Sequence, residues 1–400
     1  MPGKAHSLFL IALCQVLALS VWFAGAAALP ALNSVAELSS MRAAALSSAV
    51  QVGFVTGALV SAALNLPDRF DARAVFAAGA IAAGFSSLAA VAVEPGAWSM
   101  IALRGASGAA LALVYPVGMK LCASWAKGDA GLLVGLLVGA LTLGSALPHL
   151  ASPLLAGADW RAPFIGSGLA ALLAAGLIGR SMIGPAFARA ARFRPGAAFA
   201  ALKRRELRAV NLGYLGHMWE LYAFWAWVGV FIAAWRSARE LPPDGAAALF
   251  TFAIIAVGAV GALGAGWIAD RVGRSKTAGI ALAVGGMCAV TSPLAWSGPG
   301  WLLGVLLLIY GVAVIADSAQ FSAAVAELAP KDLAGSLLTL QTALGFALTA
   351  VSVQLLPIWA DAIGWRYAFL PLAIGPVVGV WAMIQLSRMP EVTKLAGGRG

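Results

Sequence analysis

The chain has 400 residues, 62% hydrophobic and only 10% charged, with a formal net charge of +10 and a mean hydropathy of +0.91. A soluble domain carries charge on about a quarter of its residues, so this composition excludes one and describes a protein that crosses a membrane repeatedly. The positive balance does not indicate nucleic acid, because most of the basic residues fall in alternate loops, as membrane orientation requires. Cys14, Cys122 and Cys288 lie singly in apolar runs without a C-x-x-C. They read as small buried hydrophobes, not as disulfides or metal ligands.

The first apolar run, 7–32, follows Lys4 and ends near Ala26-Ala27-Ala28, which imitates a cleaved signal peptide. It is far longer than the roughly 7–15 residues such a signal needs, and it reads as a spanning helix. A span takes about 20 apolar residues. On that measure the N-terminal half offers 7–32, 43–66, 74–93, 98–123, 130–157 and 161–184. The C-terminal half offers 209–235, 246–269, 277–297, 300–326, 333–360 and 366–387. Turn residues mark the joins, among them Glu94-Pro95-Gly96, Pro242-Pro243-Asp244-Gly245, Ser297-Gly298-Pro299-Gly300 and Pro330-Lys331-Asp332.

The expected fold is an all-α membrane protein of twelve transmembrane helices in two pseudo-symmetric six-helix bundles. The bundles are 1–184 and 209–388, with a basic connector at 185–208 and a tail at 389–400. With both ends cytoplasmic, 19 basic residues fall inside and 5 outside, which fixes the orientation in the cell's inner (plasma) membrane. The connector holds Arg189, Arg192, Arg194, Lys203, Arg204, Arg205 and Arg208 against Glu206 alone. With Phe193, Phe199 and Leu202 beside them, it reads either as a helix lying on anionic lipid or as a solvated linker.

Two echoes support an internal repeat. The stretch Gly266-Trp267-Ile268-Ala269-Asp270-Arg271-Val272-Gly273-Arg274-Ser275-Lys276 has a degraded copy in Leu64-Asn65-Leu66-Pro67-Asp68-Arg69-Phe70-Asp71-Ala72-Arg73, their aspartates 202 residues apart. Asp159-Trp160-Arg161 and Gly364-Trp365-Arg366 place tryptophans 205 apart. Both offsets are half the chain, as two inherited halves require. In the better copy, glycines permit tight backbone. Asp270 suits a helix N-terminus, and Arg271 and Arg274 hold the turn at the headgroups. Leu64 and Asp71 replace glycine in the earlier copy, which predicts looser packing there.

Ionisable residues within spans are costly and mark function by default. Arg104 lies in the fourth span, His217 and Glu220 share one face of the seventh, and Asp317 lies in the tenth. Tyr115 and Gln341 add hydrogen-bonding groups at middle depth. The His217–Glu220 spacing occurs in di-iron bundles, but no further glutamates accompany it, so no metal is expected. A carboxylate in or near a water-filled cavity, with histidine tuning it, is the favoured reading. Glu220 is the first candidate for proton coupling and Asp317, nearer the water-accessible end of its helix, the second. Helix packing is the alternative for Glu220, as it is for Arg104, whose guanidinium could bind carbonyls or Gln15. Lys120 reads as snorkelling to the interface, and His149 as a satisfied helix partner.

The loop stretch resembles the G-x-x-x-D-R-x-G-R signature of the major facilitator superfamily. On that likeness Asp68, Arg69, Gly266, Asp270, Arg271, Gly273 and Arg274 form a cytoplasmic gating motif. The likeness implies that Asp270 meets the fifth span near Ala130, and Asp68 the eleventh near Leu333. Arg104-Gly105-Ala106-Ser107-Gly108 resembles the family's R-x-x-Q-G, with Ser107 for glutamine, a position the family ties to proton coupling. The implied protein is a proton-coupled secondary transporter and not an enzyme, moving a small organic metabolite or organic anion between two rocking halves. Small-molecule substrate, protons and lipids are the expected partners, with a monomer, no cofactor and no nucleic acid. A drug/proton antiporter is the alternative, although Ala140 stands where its fifth-span pattern wants proline. The nitrate-carrier arginines are missing from the second and eighth spans. An intramembrane enzyme would need a catalytic cluster, and neither H-E-x-x-H nor a nucleophile–base pair occurs.

Overall fold

The computed structural model describes residues 3–127, 129–150, 159–187, 193–242 and 245–398. Arg189, Arg192, Pro243, Asp244 and the expected fifth-span end at 151–157 lie outside the described residues. Among the described residues, twelve helices are long and apolar enough to cross a membrane. They are α1 (Lys4–Ala36), α2 (Ser40–Arg69), α3 (Ala72–Ala92), α4 (Trp98–Ala123), α5 (Gly131–Leu150) and α6 (Arg161–Ile178). The second six are α7 (Arg205–Ser237), α8 (Ala246–Val272), α9 (Arg274–Ser297), α10 (Gly300–Leu328), α11 (Ala334–Ile363) and α12 (Trp365–Ser387).

Each half repeats one packing plan. In the first, α2 packs on α4, α3 on α6, and α1 on both α5 and α6. In the second, α8 packs on α10, α9 on α12, and α7 on both α11 and α12. The halves meet along α2–α11 and α5–α8. These two seams exchange under the same half-to-half correspondence, which is the pseudo-symmetry seen in the loop echoes.

Lipid tails are as apolar as leucine, so close backbone approach must supply much of the helix association. Glycine provides it here. A Cβ on Gly53 would lie 1.9 Å from the Gly105 carbonyl oxygen, and one on Gly108 would lie 2.0 Å from that of Val50. The matching seam in the second half is as tight, with Gly311 2.0 Å from the Ile254 oxygen on the same construction. We expect Gly53→Ala to lower the thermal midpoint of the detergent-purified protein by several degrees, since overpacking costs about 1–3 kcal/mol. Gly264→Ala, which meets nothing within 4 Å, should leave the midpoint unchanged. Equal midpoints for the two variants would refute this account of the α2–α4 seam.

Three spanning helices are interrupted at depth. α4 breaks at Ala112–Val114, where Pro116 cannot donate to the carbonyl one turn earlier. α10 breaks at Asp317 and α1 at Ser20–Phe23, neither with a proline to explain it. The connector forms a short helix, Pro195–Ala201. Its Ala198 is buried and Phe199 exposed. Arg194 ties it to α11, donating its backbone N–H to Ser336 Oγ at 2.9 Å and pairing with Asp332 at 3.2 Å.

Candidate transport and gating sites

α7 is the longest helix of the second half, and its two sides do different work. Residues two apart on a helix point about 200° apart, so Glu220 and Tyr222 face opposite ways. Tyr222 meets the first half, its ring 5.6 Å from Trp22 and 6.1 Å from Phe23. Trp22, Phe54, Tyr222 and Phe346 join at centroid separations of 4.5–5.6 Å, a cluster that closes the middle of the interface. Beyond it, Gln354 of α11 donates to Ser48 of α2 at 2.7 Å.

Glu220 points the other way, into the core of the second half. Its carboxylate packs on Gly285 of α9, where a Cβ would come within 3.0 Å of either oxygen. The Tyr310 hydroxyl of α10 lies beside it. Asp317 is close enough to act on it through space. One turn along α7, His217 Nδ1 lies 2.7 Å from Asp317 Oδ1. That contact has the separation of an ion pair but not the alignment of a hydrogen bond, and Glu220 Oε1 also lacks a hydrogen-bond partner. All three side chains are 1% exposed as residues. The structure thus corrects two expectations. Glu220 is sealed inside a bundle instead of lining a water-filled cavity, because glycine at 285 leaves a recess for it. Asp317 is equally shielded from water, because the break in α10 turns it toward His217.

Arg104 is buried at 1% exposure and serves the break in α1. Its Nη1 donates to the Val21 carbonyl at 2.8 Å and its Nη2 to that of Trp22 at 2.5 Å. The guanidinium also lies 5.9 Å from the Phe164 ring. Gln15 is not its partner. Of the two polar candidates at middle depth, Tyr115 lies where α4 resumes after its break, and Gln341 is buried on α11. His149 is buried with Nε2 unpartnered, so it does not read as a satisfied helix partner.

On the side of the membrane that carries the connector, Asp270 lies over the start of α5. A Cβ on Gly131 would be 3.0 Å from its Oδ2, and Gly266 faces the same carbonyl segment. Gly273 takes φ +109 between α8 and α9, a value that favours glycine. Arg271 stacks 3.7 Å over Trp267. Arg274 grips Glu327 at the end of α10, with its Nη2 at 2.7 Å, and reaches Gln320 at 3.2 Å. Glu327 in turn accepts the Ala396 N–H at 3.0 Å, pinning a tail whose Leu395 is buried. Glu327 in this network and Tyr310 beside Glu220 were not singled out from sequence. A lone carboxylate ending the tenth span was the available signal.

The earlier loop differs. Asp68 forms an ion pair with Lys120 of α4, within its own half and not with the eleventh helix, so Lys120 is a partner as well as a snorkelling cation. Lys120 also lies 4.8 Å over the Phe187 ring. Arg69 lies at the exposed end of α2. Asp71, in the place of a glycine, caps α3 by accepting the Arg73 N–H at 2.8 Å and pairs with that guanidinium at 2.7 Å. The loop is therefore tied, with Asn65 supplying the left-handed turn at φ 52. The Arg73 guanidinium holds the Asp71 carboxyl below its ordinary range. A lowered value means that this cap stabilises fully above the ordinary range and is lost as pH falls through the lowered one.

The chain matches the Major Facilitator Superfamily model over residues 11–353. It belongs to that superfamily. No curated protein matches it. Among solved structures, the xylose transporter XylE from E. coli, in a partially occluded inward-open conformation, is similar at 15% identity and TM-score 0.70. That match covers 95% of this chain and 99% of XylE. A bacterial homologue of the human lysosomal transporter Spinster matches at 13% identity and TM-score 0.72 over 97% of each chain. The nucleoside transporter NupG matches at 12% identity and TM-score 0.70, over 96% of this chain and 100% of that one. At these identities the shared property is the fold. Membership in a family of membrane transporters excludes the enzyme reading.

The placement of Asp270 gives a direct test of gating in this superfamily member. Asp270→Asn should slow solute transport several-fold while leaving solute binding near wild type, since the carboxylate faces Gly131 of α5 across the α5–α8 seam, away from the interface middle. Binding titration beside initial-rate transport checks it. Normal transport with lost binding would remove Asp270 from the gate.

Proposed function

We propose that the protein is a proton-coupled secondary transporter of a small organic solute, acting as a monomer in the cell's inner membrane with both termini cytoplasmic. The observation that carries this reading is the His217–Asp317–Glu220 cluster, buried beside Tyr310 in the core of the second half. One imidazolium can balance one carboxylate. The second carboxylate has no cation opposite it among the described residues; its other neighbours are the Tyr310 hydroxyl and the Cys288 thiol. An isolated charge in so dry a site is very costly. Taking up or releasing one proton at this cluster therefore changes the charge that the bundle encloses.

For coupling, the proton must reach this set from within the second half, between α7, α9 and α10, as the halves rock about the α2–α11 and α5–α8 seams. The cytoplasmic motif supports the same reading. Arg274 links the α8–α9 turn to Gln320 and Glu327, both on the part of α10 that begins just after Asp317. Purified protein in liposomes should accumulate its solute when a pH gradient is imposed and should stop when a protonophore is added. Accumulation that survives the protonophore would refute proton coupling.

A further inference from the structure

We infer that the solute is an uncharged hydrogen-bonding molecule, its polar edge held by Gln15 of one half and Gln341 of the other; this rests on the carrier reading, though not on proton coupling. Gln15 on α1 is fully buried and Gln341 on α11 is 1% exposed. In both, the amide nitrogen and the amide oxygen have no partner. A primary amide offers two donors and an acceptor, and a buried group left unpaired is destabilising enough that native proteins keep few of them. Two such glutamines, one from each half, call for a common explanation.

The residues around them belong to α4, α7 and α11, next to the interface. The Gln15 amide packs on Gly118 of α4, where a Cβ would come within 2.1 Å of Oε1. One turn before Gly118 stands Tyr115, within electrostatic range of Tyr214 and Tyr222 on α7. The Tyr214 ring closes on Gly345, 2.4 Å from a Cβ built there, and its hydroxyl reaches Thr342. Gln341 is the residue before Thr342, one turn from Gly345. The aromatic cluster roofs this layer, and the indole N–H groups of Trp22 and Trp225 are unpartnered too.

What the layer lacks is a charged group with most of its hydrogen bonds to spare. Arg104 is committed to the Val21 and Trp22 carbonyls, and Lys120 to Asp68. Glu220 and Asp317 face the interior of the second half. A solute cation would find no carboxylate here, and an anion would find only the single Nε of Arg104, so leaving water would cost either of them much. An uncharged ring bearing hydroxyl or amide groups would satisfy the amides and lay its face on the aromatics. Sugars and nucleosides share that chemistry. Of the two classes favoured from sequence, a small organic metabolite or an organic anion, the anion finds the Arg104 fork already spent on α1.

The test uses the full-length protein in detergent and in liposomes without a pH gradient. The panel holds neutral sugars (D-glucose, D-xylose), neutral nucleosides (uridine, adenosine), lactate and benzoate as anions, and choline as a cation. A neutral member should raise the thermal midpoint and exchange in counterflow, the responding arm telling sugar from nucleoside. Gln15→Leu and Gln341→Leu should each weaken that binding at least about tenfold, with the unliganded midpoint equal or higher because an orphan amide is gone. Gly118→Ala, which pushes on the Gln15 amide without removing it, should also weaken binding. The inference is overturned if only an ion binds, if no neutral member binds, or if the leucine variants bind as wild type or lose midpoint as packing residues would. Neither readout needs a proton gradient, so loss of proton coupling alone would leave this result standing.

Discussion

Glu220→Gln is expected to abolish proton-driven accumulation while preserving gradient-free exchange of solute. Glutamine keeps the shape that fills the recess at Gly285 and can still meet Tyr310, so the bundle should fold at a near-normal midpoint. What it removes is the second acid of the set. The remaining His217–Asp317 pair can balance itself, 2.7 Å apart, and no longer needs to exchange a proton for the bundle to change state. Counterflow should therefore run near the wild-type rate with a flattened pH dependence. Asp317→Asn should be the more damaging change to stability, because it leaves His217 without the carboxylate that faces it. Wild-type accumulation by Glu220→Gln with unchanged pH dependence would move the coupling site elsewhere.

The twelve spans and the doubling of the halves were legible because each depends on a local property. An apolar run of membrane length has few alternatives, and charged turns repeat at half the chain. Boundaries shifted by a few residues: the first span is Lys4–Ala36 against an expected 7–32, and the sixth Arg161–Ile178 against 161–184. The break at Pro116 could also be read. The breaks at Ser20–Phe23 and Asp317 could not, since no proline marks either.

The orientation of α7 was hidden for a different reason. Trp219, Tyr222, Phe224, Trp225 and Trp227 surround the helix, so no apolar stripe marks the side that meets the other half. Only packing shows that Tyr222 faces Phe346 while Glu220 faces Gly285. The Asp68–Lys120 pair was missed because the family likeness directed Asp68 to the eleventh helix, whereas a cation on α4 lay within reach. Gln15 was weighed only as a partner for Arg104, and its lack of any partner is a property of the fold.

Arg104→Met is expected to destabilise the protein and to cut solute exchange and accumulation together, without changing the protons moved per solute. The first part of α1 ends at Leu19, so its free carbonyls and the negative end of its dipole lie at the break. A buried guanidinium is suited to this place because one planar fork reaches two carbonyls at once, here those of Val21 and Trp22. Methionine fills similar space and leaves both oxygens unpaired, at about 1–3 kcal/mol each, enough to lower the thermal midpoint by several degrees. Trp22 would be released with them, and with it the aromatic contacts to Phe54 and Phe346 at 4.9 and 5.2 Å. Arg104→Lys should recover part of the midpoint, since an ammonium can bond one carbonyl but not fork across two. Proton stoichiometry, read from reversal potentials at several pH gradients, separates this role from a place in the proton path. A variant with the wild-type midpoint that moves solute without protons would show that Arg104 belongs to the coupling set instead.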